Sequence, residues 1–449
     1  MRRRSIHGTA ALAALVPITL LAASCGGSSN STTSGTTTTT AATTSTTQSQ
    51  VSGSVSFDGV WSGAEANAFQ AVIAAFNKQY PNVKVHYKSL GDNLPTVLST
   101  AVAGGKPPDM ADIAQPGTVK QFVAKGALKP ITYARKVLVA NFNSSWLALG
   151  TFNQKVYGLV FKASNKSTVW YNVHAFKDAG VKPPTTWPQL LSTADTLKSS
   201  GVAPYSIGGA DGWTLTDLFE NIYIRQAGPA KYAQLTAHKL PWTDPSVATA
   251  LNTMSQVIGT SANMAGGTSG ALQTDFPTSV NNVFENPPKA AIVLEGDFVP
   301  GVATVKAKPG TDYAEFTFPT IGASAPSVVI GGDTIVTFRD NPAIEAFMEF
   351  LATPQAAEAW AQKGGFATGN RNMPASFYPD ATTRATASAI AAAKNVAFDM
   401  SDQQPASFGA TVGQGEWGLF QSFLRHPTNV SGIQSALESA ATAAYKKGS

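Results

Sequence analysis

The chain has 449 residues, with 32 Lys and Arg against 27 Asp and Glu, and its formal charge at pH 7 is +5. Arg2, Arg3 and Arg4 lie together at the N-terminus, and the other basic residues are scattered without runs or interleaved aromatic residues. Nucleic acid is therefore not expected as a partner, because a surface that binds it requires clustered cations. A single Cys and five dispersed His exclude an internal disulfide and give little support to a zinc or redox centre. We predict no cofactor and no metal.

The first 24 residues have the pattern of a secretory signal peptide. The three arginines precede an apolar run at residues 9–21, which is shorter than the ~20 residues that span a bilayer. Small residues at positions 22–24 then precede Cys25. This order resembles a bacterial lipobox, which implies cleavage before Cys25 and attachment of a lipid to its thiol. A chance cysteine in a discarded leader is the alternative.

Residues 25–50 form a segment of low complexity. Apart from Cys25 they are only Ser, Thr, Gly, Ala, Asn and Gln. Such a segment cannot bury an apolar core, so we predict a flexible tether. A lipid followed by a tether implies a folded body that works beside a membrane without entering it.

The body that follows alternates strand and helix patterns. The apolar residues between Phe69 and Phe76 recur at helical spacing, which predicts a helix that Pro81 ends. Ser62 and Glu65 have the spacing of a capping box at the start of this helix. In the first half, strands are predicted near residues 55–57, 83–87, 110–114, 156–161 and 168–171, and further helices near residues 94–102 and 188–198.

The second half continues the same alternation. Strands are predicted at residues 205–207, 290–294, 313–318 and 328–338, and helices at residues 214–226, 246–258, 343–351, 355–363 and 430–445. The Gly-rich residues 266–270 predict a loop. Strands and helices that alternate with short links are typical of parallel sheets covered by helices. We predict an α/β fold with helical insertions, most simply arranged as two lobes.

Two short motifs resemble catalytic or nucleotide-binding signatures but lack the required context. Residues 267–271 approach a nucleophile elbow without its final Gly, so a Gly/Ser/Thr turn is the better interpretation. Residues 413–418 match a dinucleotide fingerprint, with Glu438 at the expected distance. That fingerprint requires a leading βαβ unit, whereas these residues lie in the C-terminal region and Glu438 lies in a predicted helix.

Aromatic, amide and carboxylate residues are concentrated where the predicted strands end. In open α/β sheets, ligands bind in the crevice at the carboxyl ends of the strands. Sugars require flat aromatic faces for their C–H groups and fixed polar groups for their hydroxyls. A structural role is the alternative in each case, with Trp61 in a core, Ser62 and Glu65 capping a helix, and Asp92 and Asp333 in turns. The candidate residues on sequence position alone include Trp61, Asp92, Gln115, Asn165, Trp213, Asp297, Phe298, Gly332 and Asp333.

Six segments resemble, in order, the family 1 extracellular solute-binding proteins, the group similar to maltose-binding protein. The first is an opening helix and strand, the second an Ala-Gly-x-x-Pro-Asp turn, and the third a strand that ends in Tyr-Asn. A Pro-x-Thr-Trp helix start, an Ala-Met-x-x-x-Gly-x-Trp strand and a late hinge helix follow. These segments are residues 76–85, 103–110, 168–172, 183–188, 290–298 and 350–355.

This resemblance implies a two-lobe fold of the periplasmic-binding-protein type II, with the solute in a cleft between the lobes. Lobe 1 is expected at residues 51–163 plus 322–352, and lobe 2 at residues 164–321 plus 353–449. Crossings between the lobes are expected near residues 162–164, 319–324 and 351–353. The resemblance adds Glu65 and Asp217 to the candidate residues. Asp297 with Phe298 replaces the usual Gly-x-Trp, and Asn165 is uncharged where some relatives place a carboxylate, so the identity of the sugar stays open.

The expected function is that of a monomeric, lipid-anchored, extracytoplasmic receptor that binds a sugar and delivers it to the permease subunits of an ABC importer. The main alternative is a secreted glycosidase that uses a carboxylate pair, either Asp217 with Glu220 or Glu295 with Asp297. A surface sensor or adhesin is a third possibility. The resemblance favours binding without catalysis.

Overall fold

The computed structural model describes residues 50–324, 327–379 and 396–448, together with Thr383, Arg384, Ala387 and Ile390. The predicted signal peptide, the predicted lipid-bearing Cys25 and all but the last residue of the predicted tether lie outside the described residues. No helix in the described part of the chain is long and apolar enough to cross a membrane.

The first lobe is built on a mixed six-stranded sheet. Its order is β12-β11-β3-β1-β2, and β6 also pairs with β11. Strands β1, β2 and β3 are mutually parallel where they pair, whereas β11 is antiparallel to β3 and β6. The six strands are β1 (Gly53–Gly59), β2 (Val83–Ser89), β3 (Met110–Ile113), β6 (Gly158–Asn165), β11 (Val328–Thr337) and β12 (Val396–Phe398).

The second lobe contains a four-stranded sheet of order β10-β7-β9-β8. Only β8 and β9 pair in parallel, and β7 is antiparallel to both of its neighbours. The strands are β7 (Thr168–Asn172), β8 (Ala203–Tyr205), β9 (Ala290–Val293) and β10 (Tyr313–Thr317). A small hairpin of β4 (Thr151–Phe152) and β5 (Lys155–Val156) stands apart from both sheets.

Eighteen helices of the described residues cover the sheets. Those of the first half are α1 (Gly63–Gln79), α2 (Leu94–Ala103), α3 (Pro116–Ala124), α4 (Arg135–Asn141), α5 (Ser144–Leu149), α6 (Val173–Asp178), α7 (Trp187–Ser199), α8 (Trp213–Thr236) and α9 (Pro245–Ile258). Those of the second half are α10 (Gly267–Ala271), α11 (Phe276–Phe284), α12 (Val299–Val302), α13 (Pro342–Leu351), α14 (Pro354–Ala361), α15 (Met400–Gln403), α16 (Ala406–Gly409), α17 (Gly415–Arg425) and α18 (Val430–Gly448).

Most predicted elements are confirmed within one or two residues, because their hydrophobic periodicity matches the face that they bury. Helix α1 buries Phe69, Val72, Ile73 and Phe76 on one stripe, as its pattern predicts. Two local predictions are wrong. Residues 267–271 form the short helix α10 instead of a loop. Ser62 occupies the N-cap of α1, but its side chain makes no capping hydrogen bond.

Helix α14 packs on the first lobe, although the boundary predicted at residue 353 assigned it to the second. Trp360 is fully buried, and its ring lies edge-on to Trp61 with the centroids 4.7 Å apart. Phe366 and Tyr378 belong to the same hydrophobic core. The amphipathic pattern of α14 shows that one face is buried but not against which lobe, and this explains the difference.

Three crossings within the described residues connect the lobes. The first lies at Lys166 and Ser167, between β6 and β7. The second lies between β10 and β11. The third lies at Asp399, between β12 of the first sheet and α15, which packs on α8 of the second lobe. It therefore lies downstream of residues 351–353, where the resemblance placed it.

Replacement of Trp360 by Ala tests the assignment of α14 to the first core. Removal of a fully buried indole from this aromatic cluster should lower the free energy of unfolding by about 3–5 kcal/mol. Chemical denaturation measures this loss. The control is Val139→Ala at a side chain that is 49% exposed, which should change the stability by less than about 0.5 kcal/mol. Equal losses in the two variants would contradict the assignment.

Candidate functional site

A cavity of about 140 Å³ lies between the two lobes and is called the central cavity here. The first lobe contributes residues that follow β1 and β3, together with residues on β6 and β11. The second lobe contributes the first residues of α8 and α11 and residues near α12, α15 and α17. Because strand ends and helix starts converge there, polar groups from distant parts of the chain line one space.

Most of the residues predicted from the sequence line this cavity. They are Trp61, Glu65, Asp92, Gln115, Trp213, Phe298, Gly332 and Asp333. Asn165, Asp217 and Asp297 do not line it. Contact with a solute stays a prediction for all of these residues.

Trp61 and Lys162 organise the first-lobe wall. The indole nitrogen of Trp61 donates a hydrogen bond to Asp333 Oδ2 at 2.7 Å. Lys162 Nζ lies 2.9 Å from Glu65 Oε1 and 3.7 Å from Asp333 Oδ2. Burial raises the pKa of Glu65, and the charge of Lys162 counteracts this effect. Trp61 is only 1% exposed, so it is a core residue whose edge reaches the cavity, and it also orients Asp333.

Three aromatic rings form the facing wall of the second lobe. Trp213, Phe276 and Phe298 lie with ring centroids 4.9–6.0 Å apart. Lys166 Nζ lies 5.6 Å from the centroid of the Trp213 ring, and Lys162 Nζ lies 5.4 Å from that of Phe298. These rings offer apolar faces beside fixed charges, which suits a ligand with both C–H and hydroxyl groups.

Asp92 and Trp213 face each other from different lobes. Burial raises the pKa of Asp92, and the side chain of Trp213 lowers it. The Trp213 indole N–H is buried and makes no hydrogen bond of ordinary geometry with a described residue. Both groups line the central cavity, so a hydroxyl group placed there could accept from the indole and donate to the carboxylate.

Gln115 presents an amide to the same space. It occupies the N-cap of α3 after β3 and is 8% exposed. Its side chain makes no capping hydrogen bond with α3, and the residue lines the central cavity. Buried amides normally find partners. The cavity is thus where a ligand would supply them.

Lys166 joins the cavity to a buried group of carboxylates. Its Nζ contacts Asp399 and lies 3.2 Å from Asp217 Oδ1 and 3.5 Å from Asp402 Oδ2. Burial alone would lower the pKa of Lys166, but the three carboxylates raise it well above its ordinary value. Burial and the charge of Asp399 raise the pKa of Asp402 to about 7. Lys166 and Asp402 line the cavity, whereas Asp217 lies behind them.

The carboxylate pairs of the glycosidase hypothesis do not face a common cavity. Asp217 and Glu220 are 2% and 0% exposed and lie outside the lining of the central cavity. Glu220 accepts hydrogen bonds from the backbone N–H groups of Met400 and Ser401 at 2.6 and 2.9 Å. Glu295 is 3% exposed, and burial raises its pKa well above the ordinary value.

Asp217, Glu220 and Asp399 are close enough together to share a cation. The Lys166 ammonium group already contacts Asp217 and Asp399. It therefore supplies positive charge to Asp217 and Asp399, and Asp217 lies behind the cavity.

Asn165 and Asp297 also do not line the central cavity. The side chain of Asn165 accepts a hydrogen bond from Ser167 N at 2.9 Å, and its carbonyl accepts one from Asp297 N at 3.0 Å. Asn165 therefore fixes the first crossing. Asp297 lines a second cavity together with Glu65.

Several lining residues were missed by the sequence reasoning. Asp402 and Trp417 come from the C-terminal helices, where no strand end marked them. Trp417 belongs to the segment 413–418 that matched a nucleotide fingerprint. A Cβ added to Gly212 would lie only 2.8 Å from the Cβ of Trp417. Trp417 can therefore pack this close to the start of α8 because the residue before Trp213 is a glycine.

Replacement of Lys166 by Met tests the importance of the buried ion cluster. Removal of the ammonium group leaves buried carboxylates uncompensated and should lower the free energy of unfolding by about 3–5 kcal/mol. The matched control is Lys289→Met, which removes an exposed i,i+4 pair with Glu285 and should cost about 0.2–1 kcal/mol. Denaturant unfolding compares the two variants. A loss for Lys166→Met no larger than that of the control would refute the cluster's role.

Comparison with known proteins places this fold and cavity in context. Residues 61–358 match the model of the bacterial extracellular solute-binding protein family. The osmoprotective compounds-binding protein GgtB of Synechocystis sp. is 30% identical over 363 residues, which cover 79% of this chain and 85% of the relative. The alpha-glucosides-binding periplasmic protein AglE of Rhizobium meliloti is 30% identical over 367 residues, which cover 78% of this chain and 80% of AglE.

Solved structures share the two-lobe architecture. The bacterial solute receptor AcbH, described with a preference for β-D-galactopyranose, superposes with a TM-score of 0.76 at 20% identity, over 87% of this chain and 98% of its own. The solute-binding protein RafE in complex with raffinose gives a TM-score of 0.70 at 16% identity. This superposition covers 87% of this chain and 100% of the RafE chain. These relatives are binding proteins and not enzymes. The chain belongs to the family of bacterial extracellular solute-binding proteins.

Proposed function

We propose that this protein is the receptor of a bacterial ABC importer and binds a neutral sugar or glycoside in the central cavity. One observation carries the proposal: an aromatic wall of the second lobe, formed by Trp213, Phe276 and Phe298, faces the polar groups Gln115 and Asp333 of the first lobe. A pyranose has an apolar C–H face and a rim of hydroxyls, so it complements both walls at once. The relatives named for osmoprotective compounds and alpha-glucosides support this class.

The charge of the lining favours a neutral solute over an anion. Among the described lining residues there are four carboxyl groups, two lysines that are already paired with carboxylates, and no Arg. An entering phosphate would meet the negative ends of these pairs without a free cation. The more distant relative that binds sn-glycerol 3-phosphate, at 25% identity, is therefore the weaker guide to the solute. The four carboxyl groups are those of Glu65, Asp92, Asp333 and Asp402.

The mechanism follows from the division of the lining between two lobes. A solute that contacts both walls binds the closed arrangement more tightly than an open one, and its binding shifts the population towards closure. The crossings at residues 166–167 and between β10 and β11 are where the backbone would bend. The closed receptor then delivers the solute, unaltered, to the permease subunits.

The anchor is part of the same proposal. A lipid on Cys25 and the tether of residues 25–50 would hold a monomeric receptor at the outer face of the cell membrane. Tethering raises the effective concentration of the receptor near the permease. Mass spectrometry of the membrane fraction tests this step, because a diacylglyceryl group on the N-terminal cysteine is expected. A soluble, unmodified mature chain would refute it.

Replacement of Trp213 by Ala tests the sugar site. The protein is titrated calorimetrically with neutral mono- and disaccharides, and loss of the indole face should weaken the bound sugar at least about tenfold. Trp213→Phe keeps an aromatic face and should retain most of the affinity. Full affinity in Trp213→Ala would remove Trp213 from the site. Release of free monosaccharide from a disaccharide would contradict binding without catalysis.

Replacement of Gln115 by Ala tests the polar wall independently. Loss of one or two hydrogen bonds to a neutral partner should weaken binding by about 0.5–1.5 kcal/mol for each bond. Gln121→Ala is the matched control, since Gln121 lies on the same helix and is exposed. The control should bind as the unchanged protein does. Identical affinities of the two variants would argue against a contact between Gln115 and the solute.

A further inference from the structure

Buried carboxyl groups outnumber cations where the first and third crossings meet the second lobe. Six of them form a group, called the carboxyl cluster here, in which the pKa of each member depends on at least one other member. All six residues are at most 4% exposed. They are Asp217 and Glu220 of α8, Glu295 after β9, Asp399 after β12, Asp402 of α15 and Glu416 of α17.

Lys166 can balance only part of this negative charge. Its ammonium group contacts Asp399 and also lies near Asp217 and Asp402. No ion pair joins the other three members of the cluster to a described residue. Full ionisation would therefore leave most of these carboxylates buried without a cation, which is strongly unfavourable. Further titratable groups that face the cluster supply no positive charge either, and they are Tyr232 of α8, Asp333 of β11 and Tyr445 of α18.

Several carboxyl oxygens of the cluster have no hydrogen-bond donor. Both side-chain oxygens of Glu295 and of Glu416, and Asp217 Oδ2, are buried and accept no hydrogen bond of ordinary geometry from a described residue. Burial raises the pKa of Glu295, and the charge and side chain of Asp217 raise it further, against the charge of Lys166. Burial and the charge of Asp399 raise the pKa of Glu416. A proton on one carboxyl group of such a set removes a repulsion and turns an acceptor into a donor.

Asp399 differs from the other members of the cluster. Burial would raise its pKa, but Lys166, the Asp217 side chain and the backbone of Asp402 lower it below the ordinary value. One ionised carboxylate therefore pairs with one ammonium group. The remaining carboxyl groups are neutral while they hold their protons, and the whole cluster then carries no net charge.

We infer that the carboxyl cluster is a proton-binding site at the junction of the lobes, which stabilises the protein in acidic surroundings and weakens the second lobe as the pH rises. The members other than Asp399 hold protons in the folded protein and lose them on unfolding. Lys166 and Asp402 also line the central cavity, so the proton content of the cluster extends to the wall of that cavity. The inference goes beyond the proposed function, because it does not depend on which solute binds.

Higher pH is expected to destabilise the folded state. A carboxyl group whose pKa is raised by folding stabilises the protein fully below its unfolded-state pKa of about 4, and this contribution is lost as the pH rises through the folded-state value. For Asp402 burial and the charge of Asp399 raise that value to about 7. Within this window, each proton held only in the folded state increases the unfolding equilibrium constant about tenfold for every pH unit.

Glu295→Gln and Glu416→Gln, made separately in the full chain, test the inference, because Gln has the shape of a protonated Glu but does not titrate. Urea unfolding is measured between about pH 6 and about pH 8.5, after circular dichroism has confirmed folding. The unfolding equilibrium constant of the unchanged protein should rise with pH more steeply than that of either variant, by up to about tenfold for each pH unit. Both variants should therefore be more stable than the unchanged protein at the upper end of this range.

Glu285→Gln is the matched control, since Glu285 is a partly exposed residue of the second lobe outside the cluster. It should keep the pH dependence of the unchanged protein. The same pH dependence in the unchanged protein and in both cluster variants would overturn the inference. Variants that are less stable than the unchanged protein throughout the range would also overturn it, because the carboxylates would then be ionised and stabilised by a cation.

A metal ion is the competing source of positive charge. The unfolding measurements are therefore repeated with NaCl, CaCl₂ or MgCl₂ at constant ionic strength. A stabilisation that is specific to one of these cations and lost in Glu295→Gln would show a metal site in place of protons and would overturn the inference. Equal stability in the three salts is expected. The proposed receptor function would stand in each case.

Discussion

The ion cluster around Lys166 is the interaction on which the arrangement of the lobes depends. Lys166 lies in the first crossing, and its backbone N–H donates a hydrogen bond to Val329 of β11 at 2.8 Å. Its carbonyl accepts one from Asn221 of α8, and its ammonium group contacts Asp399 just after β12. One residue thus joins all three crossings. Because a buried charge without partners is costly, the carboxylates hold Lys166 in one position and the crossings in register.

This anchoring explains why the central cavity is polar but its charges are not free. Lys162 on β6 is paired with Glu65 and Asp333, and Lys166 is paired with carboxylates of the second lobe. Lys162 on β6 and Lys166 in the first crossing therefore place two cations at the cavity. Carboxylates of the first lobe pair with Lys162, and carboxylates of the second lobe pair with Lys166. A neutral solute can interact with such pairs without breaking them, whereas an ionic solute must compete with existing partners. The selectivity expected of the site is a consequence of how the lobes are held.

Sequence reasoning located the parts of the site that follow simple backbone rules. Gln115 and Trp213 follow strands in the sequence, and both line the central cavity, as the strand-end rule leads one to expect of candidate residues. The rule fails for Asp217, which lies on the same face of α8 as Trp213 but one turn further along the helix, where it contacts Lys166 behind the cavity. It also fails to separate Asp297 from Phe298, which are adjacent in sequence but face different cavities.

The remaining differences have a common physical origin. Packing partners of amphipathic helices are not encoded in periodicity, so α14 could be predicted as a helix but not assigned to the first lobe. In the same way, Asp402 and Trp417 reach the cavity only because α15 and α17 pack beside α8. Sequence pattern determines which face of an element is buried, and tertiary contacts determine where that face lies.

Glycines at the edges of the cleft determine how closely the lobes can approach. A Cβ added to Gly117 of α3 would lie 1.9 Å from the carbonyl oxygen of Gln404 in the second lobe. At the Glu65 edge the approach is looser, because a Cβ added to Gly301 would lie 3.2 Å from Glu65 Cγ and one added to Gly365 would lie 3.4 Å from Gly301 Cα. A side chain at Gly117 would collide with the backbone of the second lobe and hold the cleft open. Closure of the cleft therefore depends on glycines at its edges as much as on the aromatic and polar groups that line it. Since Gly301 and Gly365 also lie beside Glu65, the two lobes meet at the residue that lines both cavities.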